Sequence, residues 1–153
     1  MPNTSFSFGP LSFTSKQHLI SVSFGDMDKF WIVFAALWGA TSVAVGAYSA
    51  HGLGGDETRM LWAQTGSSYG LVHVLALIGV TALGLVGGGC SRTRFAACVC
   101  FSLGLILFTG GLFVKALADV SLGGPYIPIG GSLYIVGWLL VAAYGFTFKT
   151  KEV

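Results

Sequence analysis

Four long apolar stretches constrain this chain more than any other feature of its sequence. Each has roughly the twenty residues needed to cross ~30 Å of hydrocarbon as an α-helix. The stretches are continuous and do not alternate apolar with polar residues, which excludes a transmembrane β-barrel. The sequence therefore predicts an all-α integral membrane protein with four spans. They run from Phe30 to Ala50, from Gly66 to Val86, from Phe95 to Leu117 and from Ile129 to Phe148.

The charges around the spans predict how the protein lies in the membrane. Short connections favour an antiparallel four-helix transmembrane bundle in up-down-up-down order. The loops and span ends on the side opposite to the two termini carry two basic residues, Arg59 and Lys115. Because basic segments stay in the cytoplasm, the bias predicts a bacterial inner (plasma) membrane protein with both termini cytoplasmic. The cytoplasmic side would carry six basic residues on the N-terminus, the second loop and the C-terminus, namely Lys16, Lys29, Arg92, Arg94, Lys149 and Lys151.

The composition excludes several other classes of protein. Hydrophobic residues make up 54% of the 153 residues and charged residues 9%, whereas soluble domains carry about 25% charged residues. Such a chain is neither a water-soluble enzyme nor a disordered protein, and a net charge of +2 provides no electrostatic surface for nucleic acid. The spans hold no paired carboxylates and no nucleophile with a base, and Cys and His lack metal-ligand spacing. We therefore expect no enzyme activity, no metal and no cofactor.

The two ends of the chain differ from the transmembrane domain, which we predict over residues 27–148. Residues 1–26 are rich in Ser and Phe and lack the apolar core of a signal peptide. One interpretation is a disordered extension or a misassigned start, because Met27 is followed at once by charged residues and the first span. The alternative is an amphipathic contact segment around Leu11–Phe24. Residues 149–153 are predicted to form a cytoplasmic tail.

Glycine is abundant inside the spans, and its spacing predicts which helix faces pack together. Small residues three, four or seven positions apart lie on one side of a helix and let two backbones approach closely in lipid. One such stripe in each span predicts a tight bundle with little internal volume. The glycines assigned to helix packing are Gly39, Gly46, Gly66, Gly70, Gly84, Gly104, Gly111, Gly130, Gly131 and Gly137.

Five polar or ionisable residues are the candidates for binding a ligand or partner: His51, Tyr69, His73, Lys115 and Tyr134. Under the predicted orientation all five lie in the outer half of the membrane, and intramembrane ionisable groups usually mark functional sites. Each also has a structural interpretation. His51 would cap a helix end, His73 would hydrogen-bond a neighbouring helix, and Lys115 would extend to the headgroups. Tyr134 would belong to an aromatic belt.

Four sequence blocks resemble a known family. They are GAYSAHGL, YGLVHVLAL, GLILFTGGLF and PIGGSLYIVGW, at Gly46–Leu53, Tyr69–Leu77, Gly104–Phe113 and Pro128–Trp138. In this order they resemble the small membrane proteins catalogued as domain of unknown function 423, to which eukaryotic transmembrane protein 256 is related. The resemblance covers about residues 27–148 and implies a four-helix protein of the bacterial inner membrane with no established activity. The family hydroxyls at the positions of Gly111 and Phe113 are missing here, and Lys115 lies outside the family pattern.

Three functional hypotheses follow. The first is a non-catalytic helical bundle, a small subunit or assembly factor, whose partners are the lipid bilayer and another integral membrane protein or a second copy of the chain. The second is a proton-linked transporter or carrier that uses His73, Tyr69 and Lys115, and it requires a water-accessible cavity at His73. The third is a redox bundle with haem held by His51 and His73.

Overall fold

The computed structural model describes residues 25–118, 120 and 125–150. Within these residues four helical segments are long and apolar enough to span a membrane, which confirms the prediction of an all-α, four-span protein. Positions 1–24 of the predicted extension and positions 151–153 of the predicted tail lie outside the described residues. The helices are α1 (Asp26–His51), α2 (Glu57–Val86), α3 (Ser91–Gly104), α4 (Gly110–Ala118) and α5 (Tyr126–Thr147).

The third span is continuous but not uniform. A π-helical segment, Leu105–Thr109, joins α3 to α4, so that the span runs from Ser91 to Ala118. The polar residues just outside the other spans also change their predicted limits. The Asp56 carboxylate accepts a hydrogen bond from the backbone N–H of Arg59 at 3.0 Å, and such a cap stabilises a helix start. As a result α2 begins at Glu57 and not near Gly66, and the expected loop 51–65 is reduced to residues 52–56.

Polar contacts connect the helix ends. Arg94 of α3 donates to the Asp28 carboxylate of α1 at 2.8 Å. The Arg59 guanidinium of α2 donates to the backbone carbonyls of Ala116, at 2.7 Å, and Leu117, at 3.1 Å, which satisfies carbonyls left free at the end of α4. These contacts are the ones that an up-down-up-down order requires, and that order stays our prediction.

A two-residue strand pairing, absent from our predictions, lies at the same end as Asp28 and Arg94. Strand β1 (Gly87–Gly88) follows α2 directly, and strand β2 (Lys149–Thr150) comes just after α5. They pair in antiparallel register, Gly87 with Thr150 and Gly88 with Lys149. The ends of α2 and α5 therefore lie at the same level, which sets the relative depth of the residues along both helices.

The interior consists of two apolar clusters. One is built around Leu77, Phe101 and Leu105, and the other around Ala63 and Phe113. The most extensive helix contacts are those of α1 with α2 and of α3 with α5. The third span is the most buried of the four, so it forms the centre against which α2 and α5 are positioned.

Each of the ten glycines assigned to helix packing lies where an added Cβ would come within 4 Å of another part of the bundle. At Gly130 that Cβ would collide with the backbone of Phe108, so only glycine permits this approach of α5 to the π-helical segment. Gly39 and Gly131 have more room, with the nearest side-chain atoms at 3.4 and 3.5 Å. The other partners are Ser67 for Gly46, Phe113 for Gly66, Ser42 and Thr109 for Gly70, Arg94 for Gly84, Tyr134 for Gly104, Ile127 for Gly111 and Phe101 for Gly137.

Candidate functional site

The most elaborate polar arrangement in the described bundle surrounds His73 of α2, whose exposed fraction is 4%. Its Nδ1 lies 2.8 Å from the backbone carbonyl oxygen of Tyr69. Because a carbonyl only accepts, Nδ1 carries the proton. Nε2 is then an acceptor, and the indole N–H of Trp138 on α5 donates to it at 3.2 Å. Both ring nitrogens are therefore engaged, and this pattern describes a neutral imidazole.

Tyr134 of α5 covers one face of the imidazole. The two rings are stacked with centroids 3.5 Å apart and an interplanar angle of 13°. The Tyr134 hydroxyl forms a 2.9 Å hydrogen bond with the hydroxyl of Thr109, a buried residue at the end of the π-helical segment. Since π-helical turns often occur at functional sites, their coincidence with this contact makes the region a candidate. The arrangement joins α2, α5 and the third span.

A cavity of about 380 Å³ opens beside these rings, between α2 and α5. Three of its residues, Tyr69, Ile135 and Trp138, are 49%, 64% and 47% exposed, so the cavity opens toward the lipid-facing surface. A smaller cavity of about 170 Å³ adjoins it at Tyr69 and His73. The larger cavity, called the central pocket below, is lined by Tyr69, His73, Phe108, Gly131, Tyr134, Ile135 and Trp138.

The central pocket lies well inside both helices that form it. At 1.5 Å per helical residue, His73 is ~24 Å from the start of α2 and ~20 Å from its end. Tyr134 is ~12 Å from the start of α5 and ~20 Å from its end, and the β1–β2 pairing holds the ends of α2 and α5 together. The polar groups of the pocket are therefore distant from the ends of α2, and the pocket opens at the side of the bundle.

Three of the five predicted candidates meet at this pocket: Tyr69, His73 and Tyr134. Lys115 does not, because its ammonium lies 4.5 Å from the ring centroid of Trp62, ~16 Å along α2 from His73. His51 is exposed at the last residue of α1. The structure thus brings three of the five candidates together and not the other two, and their common location in the outer half of the membrane or at its outer surface stays a prediction. The early start of α2 places His73 ~24 Å from the first residue of that helix, further than the hydropathy pattern indicated.

The geometry does not fit a haem between His51 and His73. His51 ends α1 just before the short connection to α2, whereas His73 is ~24 Å along α2. Both nitrogens of His73 already have protein partners. Among residues 25–118, 120 and 125–150, His, Cys, Asp and Glu form no group of three or more that could hold a metal ion.

Four residues of the site were not among the predicted candidates, namely Trp138, Thr109, Phe108 and Ile135. Trp138 lies one helical turn beyond Tyr134, and its indole N–H inside a span required an acceptor, which could have identified it. Thr109 is a hydroxyl in an apolar span and carried a similar indication. Phe108 is the third, at 5.1 Å between ring centroids from Tyr69 and 5.7 Å from Tyr134. Its position depends on the π-helical segment, which has no pattern in the sequence.

Comparison with known proteins identifies the family. The model of the family described as "Protein of unknown function (DUF423)" matches residues 45–131. The UPF0382 membrane protein SH2409 of Staphylococcus haemolyticus is 36% identical over 124 residues, 78% of this chain and 98% of the relative. The chain belongs to the DUF423 family. The resemblance drawn from the sequence is thereby confirmed, and the protein is a membrane protein embedded in a lipid bilayer.

Two further UPF0382 proteins match a similar share of this chain. The UPF0382 inner membrane protein YgdD of Escherichia coli K12 is 33% identical over 128 residues, 82% of this chain and 96% of the relative. A UPF0382 membrane protein of Haemophilus influenzae is 31% identical over 128 residues, 82% of this chain and 99% of the relative. No solved structure is significantly similar. The names of these relatives state a membrane location and no activity.

Proposed function

We propose that this DUF423 protein is a non-catalytic helical bundle of a bacterial inner membrane, with both termini cytoplasmic, that binds a lipid-phase molecule in the central pocket. One observation carries the proposal. The hydroxyl of Tyr69, which bonds no described residue, and the paired polar groups of His73 and Trp138 line a lipid-facing pocket well inside the helices, where polar groups are costly and usually functional. The inner-membrane name of the Escherichia coli relative and the distribution of basic residues support the location and orientation.

The size of the pocket favours a lipid-like molecule over the helix of another membrane protein. Small-molecule sites occupy about 300–1,000 Å³, and the central pocket has about 380 Å³. A partner helix would instead contact a long stripe of small side chains. The small-residue stripes of α1 and α2 face each other within the bundle, at Gly46 with Ser67 and at Gly70 with Ser42, so they are already occupied.

The packing around His73 speaks against a proton carrier. Leu77 and Phe101 are fully buried toward the β1–β2 end, and Thr109 and Phe113 are buried toward the other end. A carrier needs a water path to its titrating group, and these side chains close the interior on both sides of the imidazole. Lys115, the second charge that such a carrier would use, is paired with Trp62 at another depth.

The imidazole of His73 and the hydroxyl of Tyr134 are also not available as a general acid or base. The imidazole nitrogens are engaged with the Tyr69 carbonyl and the Trp138 indole, and the Tyr134 hydroxyl is paired with Thr109. A general base needs a free lone pair within hydrogen-bond distance of the substrate. These pairings support a binding role, in which the polar groups position one another.

A pocket-filling variant and a matched control test this function. Gly131 lines the central pocket, and an added Cβ there makes ordinary contact with Phe108 at 3.5 Å, so we expect a Leu side chain at this position to fill part of the pocket. Gly145, also on α5, has nothing within 4 Å of an added Cβ. We expect Gly131→Leu to lose a lipid that the parent protein and Gly145→Leu both retain after detergent-free extraction into polymer nanodiscs. Native mass spectrometry measures the bound mass.

The result that contradicts the proposal is equal retention, or equal absence, of bound mass in all three proteins. Copurification of a stoichiometric membrane protein that Gly131→Leu releases would also contradict the proposal, because the ligand would then be a protein and not a lipid. Far-ultraviolet circular dichroism of the same samples shows whether the variants are folded.

A further inference from the structure

We infer that the molecule bound in the central pocket is an isoprenoid quinone, a neutral lipid with a flat carbonyl-bearing ring and an apolar tail. This inference rests on the proposed function and names its ligand class. Four properties of the pocket support it: depth, flat aromatic walls, an available hydrogen-bond donor and a continuation of the cavity along α2.

Depth excludes lipids with charged headgroups. His73 lies ~20 Å or more from both ends of α2, whereas charged phospholipid headgroups stay at the membrane surface because charge is costly in the bilayer centre. Only a neutral molecule can place a polar group beside Tyr69 and His73. The described lining of the central pocket includes no Asp, Glu, Lys or Arg that could neutralise a charge.

The aromatic side chains present a flat surface. The rings of Tyr69 and His73 are within 6° of parallel, and those of His73 and Tyr134 within 13°. Phe108 is inclined by 56° to Tyr69, and Trp138 by 64° to His73, so that these two form side walls. Of the parallel rings Tyr69 is half-exposed, so a planar ring can stack on Tyr69 and make edge contacts with the inclined rings of Phe108 and Trp138. Acyl chains, which are not planar, gain no such contacts.

The hydrogen-bonding groups of the central pocket favour a ligand that carries a hydrogen-bond acceptor. Within the described part of the chain no hydrogen bond engages the hydroxyl of Tyr69, although this residue lines the pocket well inside α2. The other polar groups are already paired, since Trp138 donates to His73 and Tyr134 bonds Thr109. The free donor is therefore the phenolic O–H, and a quinone carbonyl is an acceptor without a proton of its own. A hydrocarbon chain would leave this hydroxyl unsatisfied in lipid.

The smaller cavity provides a path for the tail. It is lined by Ser68, Tyr69, Val72 and His73. Two of these, Tyr69 and His73, also line the central pocket. Val72 is 53% exposed, so this path runs along the lipid-facing side of α2. A ring in the central pocket can thus continue into a tail that leaves past Tyr69 into the bilayer.

The test uses the full chain in nanodiscs of dioleoyl phosphatidylcholine, which contain no quinone. The probes are decylubiquinone, menaquinone-4 and decylbenzene, the last with a flat ring and tail but no carbonyl. We expect at least one quinone to raise the thermal unfolding midpoint of the parent protein in a concentration-dependent manner and decylbenzene to leave it unchanged. Tyr69→Phe should weaken quinone binding about tenfold, and Gly131→Leu should abolish it.

Two control variants match these substitutions. Tyr48→Phe removes a hydroxyl from an exposed tyrosine of α1, and Gly145→Leu adds the same side chain to a site of α5 with open space. Both should bind quinone as the parent does. Equal binding of decylbenzene and quinone overturns the quinone assignment, as does unchanged affinity in Tyr69→Phe. Neither result affects lipid retention in the pocket, which the native mass measurement tests separately. Quinone binding by Gly131→Leu that equals the parent's overturns the site itself.

Discussion

The two sides of α2 are packed by opposite means. Toward α1 the contact consists of small residues, with Gly46 against Ser67 and Gly70 against Ser42, and the Ser67 hydroxyl donates to the Ser42 backbone carbonyl at 2.7 Å. Toward α5 the contact consists of rings, with His73 stacked on Tyr134. The first side brings backbones together and leaves no volume. The second holds them apart through aromatic side chains and creates the central pocket. On α2, the side that holds the helices together in lipid is thus different from the side that we propose to bind the ligand.

The largest effect is expected from breaking the small-residue side. In Gly70→Leu the added Cβ alone would collide with the Ser42 hydroxyl and approach Thr109 Cγ2 to 3.0 Å. Because these neighbours are buried, α1 and α2 would have to separate, and we expect a loss of about 3 kcal/mol or more in unfolding free energy. The matched control is Gly79→Leu on the same helix, where nothing lies within 4 Å. Reversible unfolding in mixed micelles with increasing dodecyl sulfate measures both.

Equal stability of Gly70→Leu and Gly79→Leu would contradict the description of this side as closely packed. It would mean that α1 is free to shift without loss, and that the aromatic side alone holds the bundle together.

A smaller effect is expected on the aromatic side. In His73→Phe a ring remains to stack on Tyr134, but the Trp138 indole N–H loses its acceptor. A double-mutant cycle of His73→Phe with Trp138→Phe should give a coupling of about 0.6–1.7 kcal/mol, the range found for hydrogen bonds between transmembrane helices. The same unfolding assay supplies the four free energies. A coupling near zero would show that ring packing, and not the hydrogen bond, holds α5 at this depth.

Sequence patterns predicted one side of α2 better than the other. Glycine spacing identified Gly46, Gly66 and Gly70 as packing positions because close approach in lipid requires small residues at helical intervals. Tyr69, His73 and Tyr134 were identified as polar or ionisable groups within spans. Their arrangement into a pocket was not predictable, since it depends on long-range contacts between helices.

Two structural features explain what was missed. The polar first turns of α2, near Arg59, lower the local hydropathy although the cap at Asp56 continues the helix. Average hydropathy therefore placed His73 too near the start of its helix. The π-helical segment Leu105–Thr109 changes the phase of the third span, and extrapolation of an α-helical period cannot follow such a change. The Asp28–Arg94 ion pair was missed for another reason, because residues distant in sequence show no spacing that links them.

The last prediction concerns the orientation of the protein, namely which membrane surface the loop with Cys90 faces. Its test does not depend on a change in stability. Cys90 is exposed just before α3, and its backbone N–H donates to the hydroxyl of Thr147, the last residue of α5. Hydrogen bonds from the Thr93 side chain and then its backbone stabilise the thiolate and lower the pKa of the Cys90 thiol. A lowered pKa means that the thiolate persists to lower pH, so the pH midpoint of the maleimide reaction should lie below that of Thr93→Val.

With both termini cytoplasmic, a membrane-impermeant maleimide should label Cys90 in inside-out vesicles and leave right-side-out vesicles unlabelled. The Cys90→Ser variant should be labelled in neither. The reverse pattern would invert the proposed orientation while leaving the contrast between the two sides of α2 intact, because that contrast depends on packing and not on which surface the loops face.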